Sequence, residues 1–332
     1  MAAPDTTIHD VVIVGAGPAG LTAGIYASRG RLDTVILERN MAGGQISVTE
    51  LVENYPGFPE GISGFDLSEK MKEQALKFGA DLREIQAVGK LEHDDGADCW
   101  VVHTDDGEVR GRAVILAPGR EPRRSGIPGE AEFVGRGVSW CATCDGALYR
   151  DRVVAVIGGG DAAVEEGMFL AKFATKVYLV HRRKELRAHA VAQERCFANQ
   201  KFEFVWDSVP HKIDGTEMVE ALEVKDVNTG EIRALPVNGV FMYIGQIPNT
   251  EWLKGVVDLD DSGYIVVDQD MRTNRPGVYA AGDAAVSELK QIATATGQGA
   301  LAAVQAEKYL DSVACPMPDP EPAAGESAAA AV

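Results

Sequence analysis

Cys141 and Cys144 stand two residues apart in WCATCDG, with Asp145 immediately after them. That spacing lets two sulfurs close a small, strained disulfide ring. In the dithiol state neighbouring groups stabilise one thiolate, which suits thiol–disulfide exchange. Asp145 is the obvious acid or base to carry the proton that each exchange requires. A zinc site needs a second pair of Cys or His ligands at ribbon spacing, and none is present, so no metal is expected. The other cysteines, Cys99, Cys196 and Cys315, are scattered and read as small apolar filler or tolerated surface residues.

Redox sulfur needs an electron source, and the elements around the pair supply a reading of it. Residues 10–38, DVVIVGAGPAGLTAGIYASRGRLDTVILE, give an apolar strand, a glycine turn, a small-residue helix and a second strand ending at Glu38. This is the pattern of a dinucleotide-binding βαβ unit. Gly15 makes the tight turn, Gly17 lets the backbone approach a pyrophosphate, and Gly20 lets the helix pack on the sheet. Ala16, Pro18 and Ala19 complete the turn and open the helix, whose free N–H groups face phosphate, while Glu38 can accept hydrogen bonds from an adenosine ribose.

The pattern recurs at 152–183, with Gly158, Gly160 and Ala163 as the small positions and Asp161 and Ala162 opening the helix. The chain is therefore expected to bind two nucleotides. His181 lies as far beyond Gly158 as Glu38 lies beyond Gly15, so equivalent strand ends carry opposite chemistry. A carboxylate suits a free 2′-hydroxyl. His181, Arg182 and Arg183, with Arg187 one turn on, suit a 2′-phosphate and favour NADPH over NADH. A solvated charged face is the alternative for these arginines. Cys144 falls just before the second glycine turn, which puts the redox pair on the NADPH side.

A third element, TNRPGVYAAGDAA at 273–285, is an apolar strand, 278–281, ending in Gly282 and Asp283. The Asp283 carboxylate could hold the ribityl hydroxyls of FAD; taken alone, the motif reads equally as a turn with an Asp cap. Because this flavin-type closing motif follows the second nucleotide unit, the FAD domain must be discontinuous. The expected fold is α/β, with two Rossmann-like nucleotide-binding domains and the NADPH domain inserted into a discontinuous FAD domain. The boundaries are 1–120 and 249–311 for the FAD domain, 121–248 for the NADPH domain with the CxxC, and 312–332 for a disordered tail. REPRRSGIPG at 120–129 and GQIPN at 245–249 mark the crossings. A helix beginning near Gln291 would point its N-terminus at the flavin and favour its anionic reduced form.

Composition bounds the rest. A chain of 332 residues, 45% hydrophobic and 25% charged, can build two globular domains. A formal charge of −18 argues against a nucleic-acid partner. No apolar run is long enough to span a membrane and MAAPDTTIHD lacks signal-peptide blocks, so a cytoplasmic address is expected. A purely structural disulfide does not fit that address.

GAGPAG, GGQ at 43–45, VENYPGFP at 52–59, GRGVS at 135–139, CATCDG, GGGDAAVEE, HRRKELRA, GQIPNT and GVYAAGD followed by Lys290 and Gln291 together resemble the low-molecular-weight, bacterial-type thioredoxin reductases. The resemblance runs from about 11 to about 310. It implies FAD contacts at Gly44, Gln45, Asn54, the backbone of Val88, and Lys290, Gln291 and Ile292. It also implies homodimers and a cycle in which NADPH reduces FAD, FAD opens the Cys141/Cys144 disulfide through Cys144, and the dithiol reduces thioredoxin after a domain rotation. Five positions depart from the family pattern: Ala147 and Leu148 replace two aromatics, Trp140 replaces a small residue, Pro118 a Thr, and Lys290 an Arg. The first three face the partner side, so a glutaredoxin-like protein, a peroxiredoxin or a small disulfide is the alternative acceptor. A flavin sensor on a reductase chassis is a third reading.

Overall fold

The computed structural model describes residues 7–49 and 51–314. The first glycine turn requires a buried strand before it and a helix after it. β1 (Ile8–Val14) is the strand, and α1 (Pro18–Arg29) follows with Gly17 as N-cap and Pro18 in the first turn, where a missing N–H costs nothing. β2 (Thr34–Leu37) lies parallel to β1 and pairs Leu37 with Val14. Then come α2 (Gly64–Phe78), β3 (Asp81–Arg83), β4 (Val88–Asp94), β5 (Cys99–Thr104) and β6 (Gly107–Leu116). α2 is stopped at both ends by local chemistry: the Ser63 hydroxyl accepts the Asp66 N–H at 3.0 Å, and Gly79 takes the left-handed conformation. The sheet order is β3-β2-β1-β6-β5-β4.

β7 (Arg120–Pro122) leaves this domain, and the chain builds a second sheet before it returns. That sheet uses β8 (Val138–Ser139), then, after α3 (Ala142–Asp145), β9 (Val153–Ile157), α4 (Asp161–Leu170), β10 (Lys176–Val180), α5 (Ala190–Ala198) and β11 (Phe202–Val205). A three-stranded antiparallel sheet follows, β12 (Ser208–Gly215), β13 (Val219–Asp226) and β14 (Ile232–Pro236), and β15 (Gly239–Met242) closes the parallel sheet in the order β11-β10-β9-β15-β8. β16 (Gln246–Pro248) pairs antiparallel with β7, so the two crossings, expected as proline-marked linkers, form a two-stranded ribbon.

β17 (Val278–Ala280) then rejoins the first sheet, parallel to β6, and α6 (Ile292–Ala314) packs along α1. The first domain is therefore discontinuous and the second inserted into it. Small residues allow the close approach of the two helices: a Cβ on Gly299 would lie 2.1 Å from the Ala19 carbonyl oxygen. The expected tail beginning at 312 is helical as far as Ala314; the rest of it lies outside the described residues.

Gly20 is the tightest point of the first turn, since a Cβ there would stand 1.8 Å from the backbone oxygen of Gly15. Neither partner is a flexible side-chain end. Gly20→Ala is expected to destabilise the first domain by about 3 kcal/mol, the upper part of the range for overpacking a closed core. Urea unfolding followed by near-UV dichroism checks this, and a midpoint equal to that of the parent chain would show that α1 can slide outward without cost.

Candidate active site

The redox motif is carried from β8 at one edge of the second sheet into α3. Cys141 is disulfide-bonded. Its backbone is fixed on both sides by Ser139, whose Oγ accepts the Cys141 N–H at 3.0 Å and donates to the Cys141 carbonyl at 3.2 Å. Cys144 falls inside α3, and Asp145, half-buried, ends it, its N–H donating to the Cys141 carbonyl at 3.3 Å. Behind the turn, the Ala142 N–H donates to Glu166 Oε2 at 3.1 Å and to Tyr243 Oη at 3.0 Å. Glu166 belongs to α4, the helix that begins at the second glycine turn. One helix thus connects the sulfur turn to the nucleotide turn.

Around that nucleotide turn, Gly158 has φ of 150°, and a Cβ on Gly159 would strike the His181 ring at 2.5 Å. Over Gly160 a Cβ would meet nothing within 4 Å, leaving open space beside the N–H groups of Asp161 and Ala162 at the start of α4. The Asp161 carboxylate accepts the backbone N–H of His189 at 2.7 Å, so the backbone, not the side chain, is what α4 offers a phosphate. Arg182, Arg183 and Arg187 are exposed, and the Arg187 N–H donates to the Gly159 carbonyl at 2.6 Å, tying the basic loop to the turn. His181 differs from expectation. It is buried, and burial, with help from Arg187 and Arg182, holds its pKa below the ordinary histidine value. A neutral ring cannot supply charge to a phosphate, so the positive charge of the cluster comes from its arginines. The His181 Nε2 is buried with no hydrogen-bond partner among the described residues.

The first glycine turn is built the same way. Gly15 has φ of 102° and leaves no room for a Cβ, which would lie 2.1 Å from the Ala117 oxygen. Beside Gly17 the nearest atom to a Cβ would be the Gly44 Cα at 3.9 Å, a cradle between two glycines at the N-terminus of α1. The Glu38 carboxylate accepts the Ala16 N–H at 2.8 Å and the Asn40 N–H at 2.9 Å, which leaves lone pairs on both oxygens for ribose hydroxyls. These features fit an extended dinucleotide.

Residues from four segments meet beyond that cradle. Gln45 donates through its side-chain amide to the Arg120 carbonyl, and Asn54 donates to Gln291 Oε1 at 3.0 Å, one residue before α6 opens at Ile292. Lys290 Nζ donates to the carbonyls of Asp283 and Ala285, at 3.1 and 2.8 Å. Its pKa is lowered, chiefly by burial. Gly282 has φ of 75° and would clash with Ala19 if it carried a Cβ. Val88 opens β4 opposite Thr104 and packs half-buried against the core beneath the first sheet. The Asp283 carboxylate is not free: Arg120 Nε lies 2.7 Å from its Oδ2. A ribityl chain held by Asp283 would share it with Arg120, a residue that sequence reasoning passed over. Its position at the carboxyl end of β6, where open α/β sheets place ligands, is the signal that could have found it.

Residues 9–299 match the family model described as pyridine nucleotide-disulphide oxidoreductase. The chain belongs to that family. Within it the chain is similar to the thioredoxin reductase of Listeria monocytogenes, 46% identical over 314 residues, which is 94% of this chain and 97% of the relative. It superposes on Lactococcus lactis thioredoxin reductase in its FR conformation with a TM-score of 0.88 at 42% identity, covering 91% of this chain and 99% of the other. The thioredoxin reductase of Streptococcus pyogenes, 43% identical over 92% of this chain and 99% of that one, gives a TM-score of only 0.62. Two family members about equally similar in sequence thus superpose on this chain to different extents.

Proposed function

We propose that this chain is an NADPH-dependent flavoprotein disulfide reductase that passes electrons from NADPH through FAD to the Cys141/Cys144 disulfide and from there to thioredoxin. The observation that carries the reading is the mounting of a disulfide-bonded Cys141 on the helix that starts at the second nucleotide turn, through Ala142 and Glu166. FAD, when bound, supplies the two-electron relay between nicotinamide and sulfur. The first domain, 1–120 and 249–311, would hold FAD through the Gly15–Ala19 turn, Glu38, Gln45, Asn54 and the 282–292 segment. The inserted domain, 121–248, would hold NADPH on the α4 N-terminus with Arg182, Arg183 and Arg187 on its 2′-phosphate. Asp145 would hold and return the proton of the exchanging thiols.

Because donor site and disulfide ride on one rigid unit, they must take turns at the flavin, and a hinge at the β7/β16 ribbon allows it. The Glu53–Arg195 ion pair, 3.3 Å between exposed groups of the two domains, is weak enough to break on each cycle. A cytoplasmic homodimer belongs to the same reading. Among the described residues no helix is long and apolar enough to cross a membrane.

A second acceptor reading rests on the surface beside the disulfide. Leu148 is 77% exposed, Ala147 is exposed, and Arg124 covers the Trp140 ring at 3.5 Å, so the aromatic pair usual in the family is replaced by an aliphatic and cationic face. NADPH oxidation assayed against thioredoxin, a glutaredoxin-like protein, a peroxiredoxin and small disulfides separates the two. Saturable turnover with thioredoxin is expected. Turnover with another member of the panel and none with thioredoxin would reject the leading reading.

A further inference from the structure

We propose that Glu166 and Tyr243 are positioning residues for the redox pair: by holding the backbone N–H of Ala142 they withhold from Cys141 the donors that would stabilise its thiolate, and so keep the reduced sulfur a weak acid. This rests on the redox reading of Cys141 and Cys144.

The geometry is specific. A thiolate at the start of a CxxC turn gains its stability from the N–H groups of the residues just after it. Here the Ala142 N–H is engaged by Glu166 Oε2 at 3.1 Å and Tyr243 Oη at 3.0 Å, and Tyr243 Oη itself lies 3.4 Å from Glu166 Oε2. The Thr143 N–H also bonds the Glu166 carboxyl. Ser139 occupies the Cys141 N–H in the same way. The turn is thus held from beneath by acceptors, one of which can be negative.

The groups facing this pair are acids. Asp145 on α3 acts on Tyr243 and on Tyr149 in the turn that follows, and Glu165 on α4 acts on Glu166. Burial pushes the Glu166 carboxyl above the ordinary carboxylate range, outweighing the Ala142 N–H, and burial together with Glu166 pushes the Tyr243 phenol upward. In such surroundings a second negative charge on Cys141 is disfavoured. The consequence for exchange is a thiol that waits for a base, Asp145, and that is a stronger nucleophile once deprotonated, since nucleophilicity rises with thiol pKa.

The test is the pH dependence of Cys141 alkylation by iodoacetamide in the flavin-loaded, reduced Cys144→Ser protein, read on the Cys141 peptide by mass spectrometry. Cys99 and Cys196 are buried, and burial raises the Cys196 thiol to about 11, so neither competes. Glu166→Gln keeps an acceptor and removes the ionisable group; Glu166→Leu removes both; Tyr243→Phe leaves the carboxyl and removes only the phenol oxygen. The alkylation midpoint should fall in all three, furthest in Glu166→Leu, with neutral-pH rates rising about two- to fourfold, because the extra thiolate from a shift of half to one pH unit is partly offset by its lower nucleophilicity. Superimposable midpoints in folded variants would overturn the inference, even if their melting temperatures fell. In the enzyme with both cysteines, NADPH alone under argon must make Cys141 alkylatable; if it does not, the redox reading fails first, and separately.

Discussion

Replacing Cys144 by Ser lowers kcat/KM for thioredoxin by more than about 10⁴-fold, the scale seen when a covalent participant is removed, yet leaves bleaching of the flavin by NADPH intact. The two half-reactions use different atoms. On the proposed reading, hydride delivery would use a nucleotide held at the start of α4 and by the arginine loop, whereas disulfide reduction would use Cys144 in α3. Anaerobic rapid mixing with NADPH, followed by addition of thioredoxin, measures the two in one sample. Loss of both activities would mean that the cysteine holds the turn together and is not a redox centre.

The second large effect is on nucleotide choice. Arg182→Ala together with Arg183→Ala removes two charge-assisted contacts to a 2′-phosphate, each worth about 1.5–3 kcal/mol, so kcat/KM for NADPH should fall by roughly 10² or more. NADH, which has no such phosphate, should change little. Both side chains are exposed and the neighbouring His181 is held neutral, so the positive charge left at this strand end comes from Arg187 and from Lys184, which lies 3.6 Å from the Asp207 carboxylate. Steady-state kinetics with the two coenzymes checks this, and equal losses with both would return these arginines to a solvated surface.

The α/β fold with one domain inserted in another was legible because its constraints are local and sequential. Gly15 and Gly20 are required by backbone atoms within a few residues or on the adjoining strand, and the late motif ending in Asp283 dictates a return to the first sheet, which β17 makes. The expected helix near Gln291 starts at Ile292, within the ordinary uncertainty of helix ends.

What escaped the sequence is contact between distant positions. Ala142 and Tyr243 are 101 residues apart and meet only because β15 lies next to both β9 and β8 in the second sheet. Glu166 reads as one of two helix acids, and which of them turns inward depends on α3 packing against α4. Arg120 reads as part of a linker, but β7 pairs with β16 and its first residue reaches Asp283. His181 was expected to meet phosphate, but at a strand end a side chain can point either way, and here it packs under Gly159.

Electron transfer from nicotinamide to sulfur through one bound flavin is the claim on which the rest depends. Its most direct measurement is an anaerobic titration of the purified protein with NADPH, recording the visible flavin band and the number of alkylatable thiols together. The account predicts a yellow protein that loses its colour on reduction and gains two thiols located at Cys141 and Cys144. A colourless protein that cannot be reconstituted with FAD, or a flavin that bleaches while both cysteines stay closed to alkylation, would contradict it.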